Sequence, residues 1–277
     1  MRRFLGFSLL ALLPALAGAN ECRYSAERNF DVDAAALKTI AFDLSSSDLI
    51  LEGVPGLAKV EVRGRACAAE EAWLDQLTVD QQVSGDRLQI APHNGHDQGS
   101  WFGSSYAYVD IRVRVPAKLA AIVKSESGDA DVSNVAALDY DASSGDLKVN
   151  DVSGMLQVEV SSGDVRGRDI GSVEVRGTSS GDISLTDVHG QIDVSHSGSG
   201  DLSFDDVGSV HVGSTGSGDI VVAHAGSDVI VDSIGSGDVS VRDVGGNFTV
   251  GSKGSGDVHH SNVRGKVDVP HDDDDDD

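Results

Sequence analysis

The stretch Ser233–Val258, "SIGSGDVSVRDVGGNFTVGSKGSGDV", decides the fold. It holds the triplet Ser-Gly-Asp twice, and the two aspartates, Asp238 and Asp257, are 19 residues apart. Between them Val239 and Val241 lie two apart. Asp243-Val244-x-Gly246 follows, then Phe248 and Val250, again two apart. Apolar residues at a two-residue interval make strands with one buried face. Clusters of Gly, Ser and Asp between them make turns. One unit is therefore two short strands and two turns.

The same unit extends outward along the chain. From Lys124 onward, Ser-Gly-Asp places aspartates at Asp129, Asp146, Asp164, Asp182, Asp201, Asp219, Asp238 and Asp257, with spacings of 17, 18, 18, 19, 18, 19 and 19. A strand pair this short cannot bury its apolar face alone. Stacking one coil on the next gives each strand a parallel neighbour and the apolar side chains a continuous interior. The reading is an all-β, single-stranded β-solenoid with 17–19-residue coils and two short strands per coil. Coils about 4.8 Å apart make eight of them a rod of roughly 38 Å. Right-handed winding is expected from the preference of parallel crossovers. A left-handed hexapeptide helix also takes about 18 residues per turn, but it wants one apolar residue in six. Pairs two apart suit two flat faces better.

The chain before Lys124 is less regular. Thr39–Leu51, Lys59–Arg63, Leu88–Ala91 and Tyr108–Val115 read as strands, and 66–77, "ACAAEEAWLDQL", as a short helix. The division expected is a signal segment at 1–19, a β-rich region and cap at 20–120, the repeat solenoid at 121–270 and an acidic disordered tail at 271–277. A cap hides the end of a solenoid from other chains. The signal reading rests on Arg2 and Arg3, the apolar run Phe4–Ala19 and the small residues Ala17-Gly18-Ala19. No later segment is apolar enough to span a bilayer. The mature chain is expected in the periplasm, or secreted to the cell surface.

That compartment sets the reading of Cys22 and Cys67, the two cysteines. An even count in an oxidising space suggests a disulfide, the alternative being two free buried thiols. The formal charge is −24, and six of the acids form the tail. Such a surface repels nucleic acid and anionic headgroups and favours cationic partners or divalent ions.

Two segments also carry a family resemblance: 108–132, "YVDIRVRVPAKLAAIVKSESGDADV", and 143–165, "SSGDLKVNDVSGMLQVEVSSGDV". They resemble the bacterial β-strand-repeat proteins labelled adhesins, the Toast-rack family, over roughly residues 38–270. The resemblance implies a β-solenoid on or near the cell envelope, with some relatives linked to envelope-stress systems. It brings no set of functional residues.

The aspartates pose the chemical question. Stacking puts the eight in one column, where carboxylates about 5 Å apart repel by roughly 0.8 kcal/mol in water. A second column, on the opposite turn, holds Asp151, Asp169, Asp187, Asp206 and Asp243, with Asn134 and Asn262 in equivalent places. One reading is local hydrogen bonding to backbone N–H groups, with the triplet's glycine supplying a left-handed turn conformation. The other is calcium, a hard cation that takes clustered oxygens. Gly-Ser-Gly-Asp recurs from Asp201 onward, so Asp201, Asp219, Asp238 and Asp257 are the calcium candidates, although the nonapeptide period of calcium β-rolls is missing. No other cofactor is expected.

His259, His260 and His271 lie near the tail, but their spacing fits no standard metal site. His189, His196, His211 and His224 read as scattered over different coil positions. No His-Glu-x-x-His pair is present, and near-constant coils leave no long loop for a cleft, so no enzyme is expected. One segment, Ala91–Tyr108, breaks the pattern with Trp101, Phe102, Tyr106 and Tyr108. It reads either as a binding loop for protein or sugar or as a plug for the solenoid's end. The functional expectation is a non-enzymatic adhesion or interaction scaffold whose partner is an envelope or surface protein or glycan. The alternatives are an envelope-stress accessory module that binds a membrane partner or cationic compound, and a calcium-stabilised structural protein.

Overall fold

Period-two alternation becomes strand along almost the whole chain. The structure, a computed structural model, describes residues 22–94 and 106–270. The signal segment, Trp101, Phe102, His271 and the aspartate tail lie outside the described residues. The chain opens with β1 (Tyr24–Asp33), β2 (Thr39–Asp43), β3 (Leu49–Val54) and β4 (Lys59–Ala68). A 3-10 helix (Glu71–Gln76), β5 (Thr78–Ser84), β6 (Arg87–His93) and β7 (Ala107–Pro116) follow. The coils then run through β8 (Ala120–Ser125), β9 (Ala130–Val135), β10 (Ala137–Ala142), β11 (Leu147–Val160), β12 (Val165–Thr178), β13 (Ile183–Ser197) and β14 (Leu202–Thr215). The last are β15 (Ile220–Ala225), β16 (Val229–Ile234), β17 (Val239–Val244), β18 (Phe248–Lys253), β19 (Val258–Val263) and β20 (Val267–Asp268).

Each coil contributes one strand to each of two faces, and within a face neighbouring strands are parallel and in register. On the first face Phe42, Val123, Tyr140, Val158, Val175, Val194, Val212, Val231 and Val250 stack as one inward column. All are buried. The second face answers with Leu51, Val132, Val149, Gly167, Leu185, Phe204, Val222, Val241 and His260. Gly167 brings no side chain to this column, and its neighbours fill the space: a Cβ there would lie 2.7 Å from Leu185 Cδ2. Each fully buried Val or Leu contributes about 1.5–3 kcal/mol, so the columns are what holds the rod together.

Regular stacking begins before the first Ser-Gly-Asp. β2 and β3 lie in register against β8 and β9, and the turn between them is Ser46-Ser47-Asp48. β6 and β7 add a further coil outside that one, with β6 parallel to β2 and β7 parallel to β3. Spatial order and chain order therefore differ at this end. Antiparallel pairing closes it: β1 with β4, β4 with β7, and β5 with β6.

The short helix expected over 66–77 is smaller than that. Ala66, Cys67 and Ala68 continue β4, paired to β1 and β7, and only Glu71–Gln76 forms a 3-10 turn. The strand pairing satisfies backbone groups on both sides of β4, which a helix at Ala66 would forfeit. Arg28, pointing inward from β1, ties the helix down by donating to the carbonyls of Leu74 and Leu77, both at 2.6 Å. The strand expected over Thr39–Leu51 is likewise two strands, split by the turn at Ser46–Asp48.

Candidate functional site

The Ser-Gly-Asp turn is held by three sets of contacts. First, each aspartate's backbone N–H donates to the carboxylate of the aspartate one coil back. The rungs run from Asp48 to Asp129 at 3.0 Å and Asp129 to Asp146 at 3.0 Å. They continue from Asp146 through Asp164, Asp182, Asp201, Asp219 and Asp238 to Asp257 at 2.8–3.1 Å. Asp110, hydrogen-bonded to the backbone of Asp48, begins the same column. Burial, then the charge of Asp48, pushes its carboxyl above the usual range.

Second, the glycines touch. A Cβ on Gly200 would lie 2.0 Å from the Gly181 carbonyl oxygen, and one on Gly218 2.1 Å from that of Gly200. Contrary to the expectation from the sequence, none of the glycines in the eight stacked triplets has a positive φ; among the described glycines only Gly56 and Gly85 do, Gly85 in a separate Ser-Gly-Asp at the hairpin between β5 and β6. Glycine is required here by close approach between coils. The extra glycine of Gly-Ser-Gly-Asp has the same cause: a Cβ on Gly216 would meet the Gly198 oxygen at 2.5 Å, and on Gly235 the Gly216 oxygen at 2.3 Å. Third, buried hydroxyls close the turn from inside. Ser125, Thr178 and Ser197 donate to the carbonyls of Gly128, Gly181 and Gly200 at 2.8–3.0 Å.

The left-handed conformation belongs to the second column. Asn134, Asp151, Asp169, Asp187, Asp206, His224, Asp243 and Asn262 all have φ of 53–58°. Asn, Asp and His are the non-glycine residues that tolerate it best. His224 thus stands in the column that its residue type concealed. Its ring lies 2.7 Å from Asp205 and 3.5 Å from Asp243. In the same coil, His211 lies 3.1 Å from Asp232 and 3.6 Å from Asp193.

For the calcium candidates, Oδ1 of Asp201, Asp219 and Asp238 each accepts a backbone N–H from the next coil. Among the described residues no group of three or more His, Cys, Asp or Glu side chains is arranged to hold a metal ion. His259 and His260 are adjacent in β19 and point to opposite sides of the strand: His260 takes the inward position, 6.1 Å from the Phe248 ring. Cys22 and Cys67 form a disulfide with Cα atoms 5.6 Å apart, joining the start of β1 to the end of β4. Of the four loop aromatics, Tyr106 and Tyr108 are described. Their rings lie 6.2 Å apart, Tyr108 sits opposite Cys67, and the Tyr106 hydroxyl accepts the Arg23 N–H at 3.0 Å.

With the turns occupied by contacts between coils, the outward faces remain. The first carries Asp139, Asp141, Glu159, Glu174, Asp193 and Asp232, with Arg176 bonded to Asp139 and near Glu159. The second gathers Arg112, Arg114, Lys148, Arg166, Arg168 and Arg242. A groove of about 730 Å³ crosses it from β3 to β13. Sequence reading missed this groove because its cations come from two adjacent coils and share no motif.

Stacked parallel coils around an apolar interior, with antiparallel strands at one end, define a β-solenoid protein. The profile of the Toastrack DUF4097 family matches residues 58–275, and the chain belongs to that family. A structure described as a "putative lipid binding protein" from Parabacteroides distasonis shares the fold, with a TM-score of 0.51 at 16% identity over 88% of this chain and 97% of that one. A "putative adhesin" from the same species matches with a TM-score of 0.47 at 14% identity, over 88% and 97%. One from Bacteroides fragilis gives 0.40 at 11%, over 90% and 98%. No curated protein matches the chain significantly.

Proposed function

We propose that the protein is a non-enzymatic, extracytoplasmic rod that serves as an adhesion or interaction scaffold at the cell envelope. One observation carries this reading. The repeated polar groups of the turns, the obvious candidates for chemistry, are spent on holding one coil to the next, so the flat outer faces are the surfaces left to meet a partner. Repeat rods use such extended faces for binding. The signal-like start and the cysteine pair support export. Among the described residues no helix is long and apolar enough to cross a membrane.

Cell fractionation combined with in-cell cross-linking tests this reading. The expected result is a chain shortened by its first 19 residues, in the periplasmic or surface fraction, cross-linked to an envelope component. An uncleaved chain in the cytosol would overturn it.

A further inference from the structure

We infer that the groove on the second face is a binding site for an acidic glycan, a sugar chain carrying carboxylate groups. This inference rests on the scaffold reading above and gives it a ligand class. In a chain of net charge −24, the groove concentrates Lys148, Arg166 and Arg168. Lys148 and Arg166 are register partners on adjacent strands, a like-charge pair that costs stability unless an anion answers it. Their own acids cover them only in part: Lys148 lies 3.5 Å from Asp131, Arg166 lies 3.0 Å from Asp164, and both side chains are about two-thirds exposed. Arg168 is exposed and has no ion-pair partner among the described residues. Long basic side chains standing beside the short Asn150, Ser184 and Thr186 make the trough.

This lining matches a sugar chain group by group. A guanidinium fork takes a carboxylate with two parallel hydrogen bonds. Asn150, Ser184 and Thr186 offer donors and acceptors to hydroxyls. Ile50, 41% exposed on β3, offers an apolar surface to a sugar ring. The five strands span about 19 Å at their usual spacing, room for a short oligosaccharide lying along the rod. The carboxylates of Asp48, Asp129 and Asp146 form one rim, and Asp131, in register between Ile50 and Lys148, adds a fourth acid within the groove; together they direct the ligand's acid groups toward Arg166 and Arg168. A bilayer surface fits less well. The cations cluster on a few strands, while the first face and the net charge would be repelled by anionic headgroups.

The experiment titrates the disulfide-intact mature protein with an oligogalacturonate, with its fully methyl-esterified form, and with vesicles containing phosphatidylglycerol. Expected are salt-sensitive binding of the acid form alone, a loss of about tenfold or more in Arg166→Ser/Arg168→Ser, and little change in the distant Arg242→Ser. Circular dichroism checks that the double variant is folded, and Arg166→Lys/Arg168→Lys should recover part of the affinity. The inference is overturned if the acid form does not bind, if the ester binds equally, if the folded double variant binds like wild type, or if only vesicles bind. An envelope-located protein with no affinity for the acid glycan would remove this site and leave the scaffold reading standing.

Discussion

The backbone N–H of Asp219 donates to Oδ1 of Asp201 at 2.9 Å, one coil away. Asp219 in turn accepts from Asp238 at 2.8 Å. Each aspartate is thus both a donor through its backbone and an acceptor through its side chain, so the column runs the length of the repeat. A single file of carboxylates would repel. Here the positive end of an amide dipole from the next coil faces each carboxylate from Asp48 to Asp238 and offsets that repulsion.

The buried hydroxyls give a matched pair. Thr178 Oγ1 donates to the Gly181 carbonyl at 3.0 Å, whereas Thr215 Oγ1, at the equivalent place, is buried with no hydrogen-bond partner among the described residues. Thr178→Val should cost about 1 kcal/mol, and Thr215→Val should be neutral or stabilising. Urea unfolding of the two variants decides this, and equal losses would refute the assignment.

The glycine column predicts a contrast as sharp. Gly200→Ala puts a methyl group 2.0 Å from a backbone oxygen that cannot move without shifting a whole coil. It should destabilise by about 3 kcal/mol or more. Gly226, whose nearest contact would be at 3.5 Å, should accept alanine within about 1 kcal/mol. Thermal melts of both variants compare the two directly.

His211 gives a pH signature. Burial pushes its imidazole down, but the hydrogen bond and charge of Asp232, then those of Asp193, outweigh this and hold it above the ordinary value of 6.5. A raised folded-state pKa means a contribution fully present below 6.5 that fades as pH rises through the raised value. The stability gap between wild type and His211→Ala should therefore be wider at pH 5.5 than at pH 9. A gap that does not change with pH would contradict the bridge.

How much of this was legible in the sequence follows from where each signal lies. The coils were readable because Val239 and Val241, or Phe248 and Val250, announce a buried strand face within a few residues. Asp48 was missed because Ser47 stands where glycine is otherwise needed. The Asn94 side chain donates to the Ser47 hydroxyl at 3.1 Å, so a side chain is accommodated at this position. The β6–β7 coil was hidden because its place outside β2 and β3 is set by parallel pairing across long sequence separations. The role of glycine was misjudged because a single turn favours it for φ, while only the stacked neighbour reveals the close approach. The groove was invisible for the related reason that its cations meet only after stacking.

The most direct test of the column compares Asp219→Ala with Asp219→Asn by equilibrium urea unfolding in the presence of EGTA and of calcium. Asparagine keeps an oxygen for the Asp238 amide and removes a like charge. The account predicts that alanine loses about 1–2 kcal/mol, that asparagine matches or exceeds wild type, and that calcium changes neither difference. Asparagine as damaging as alanine, with wild type gaining stability from calcium, would show that the charge and a bound cation hold the column, and would contradict the account.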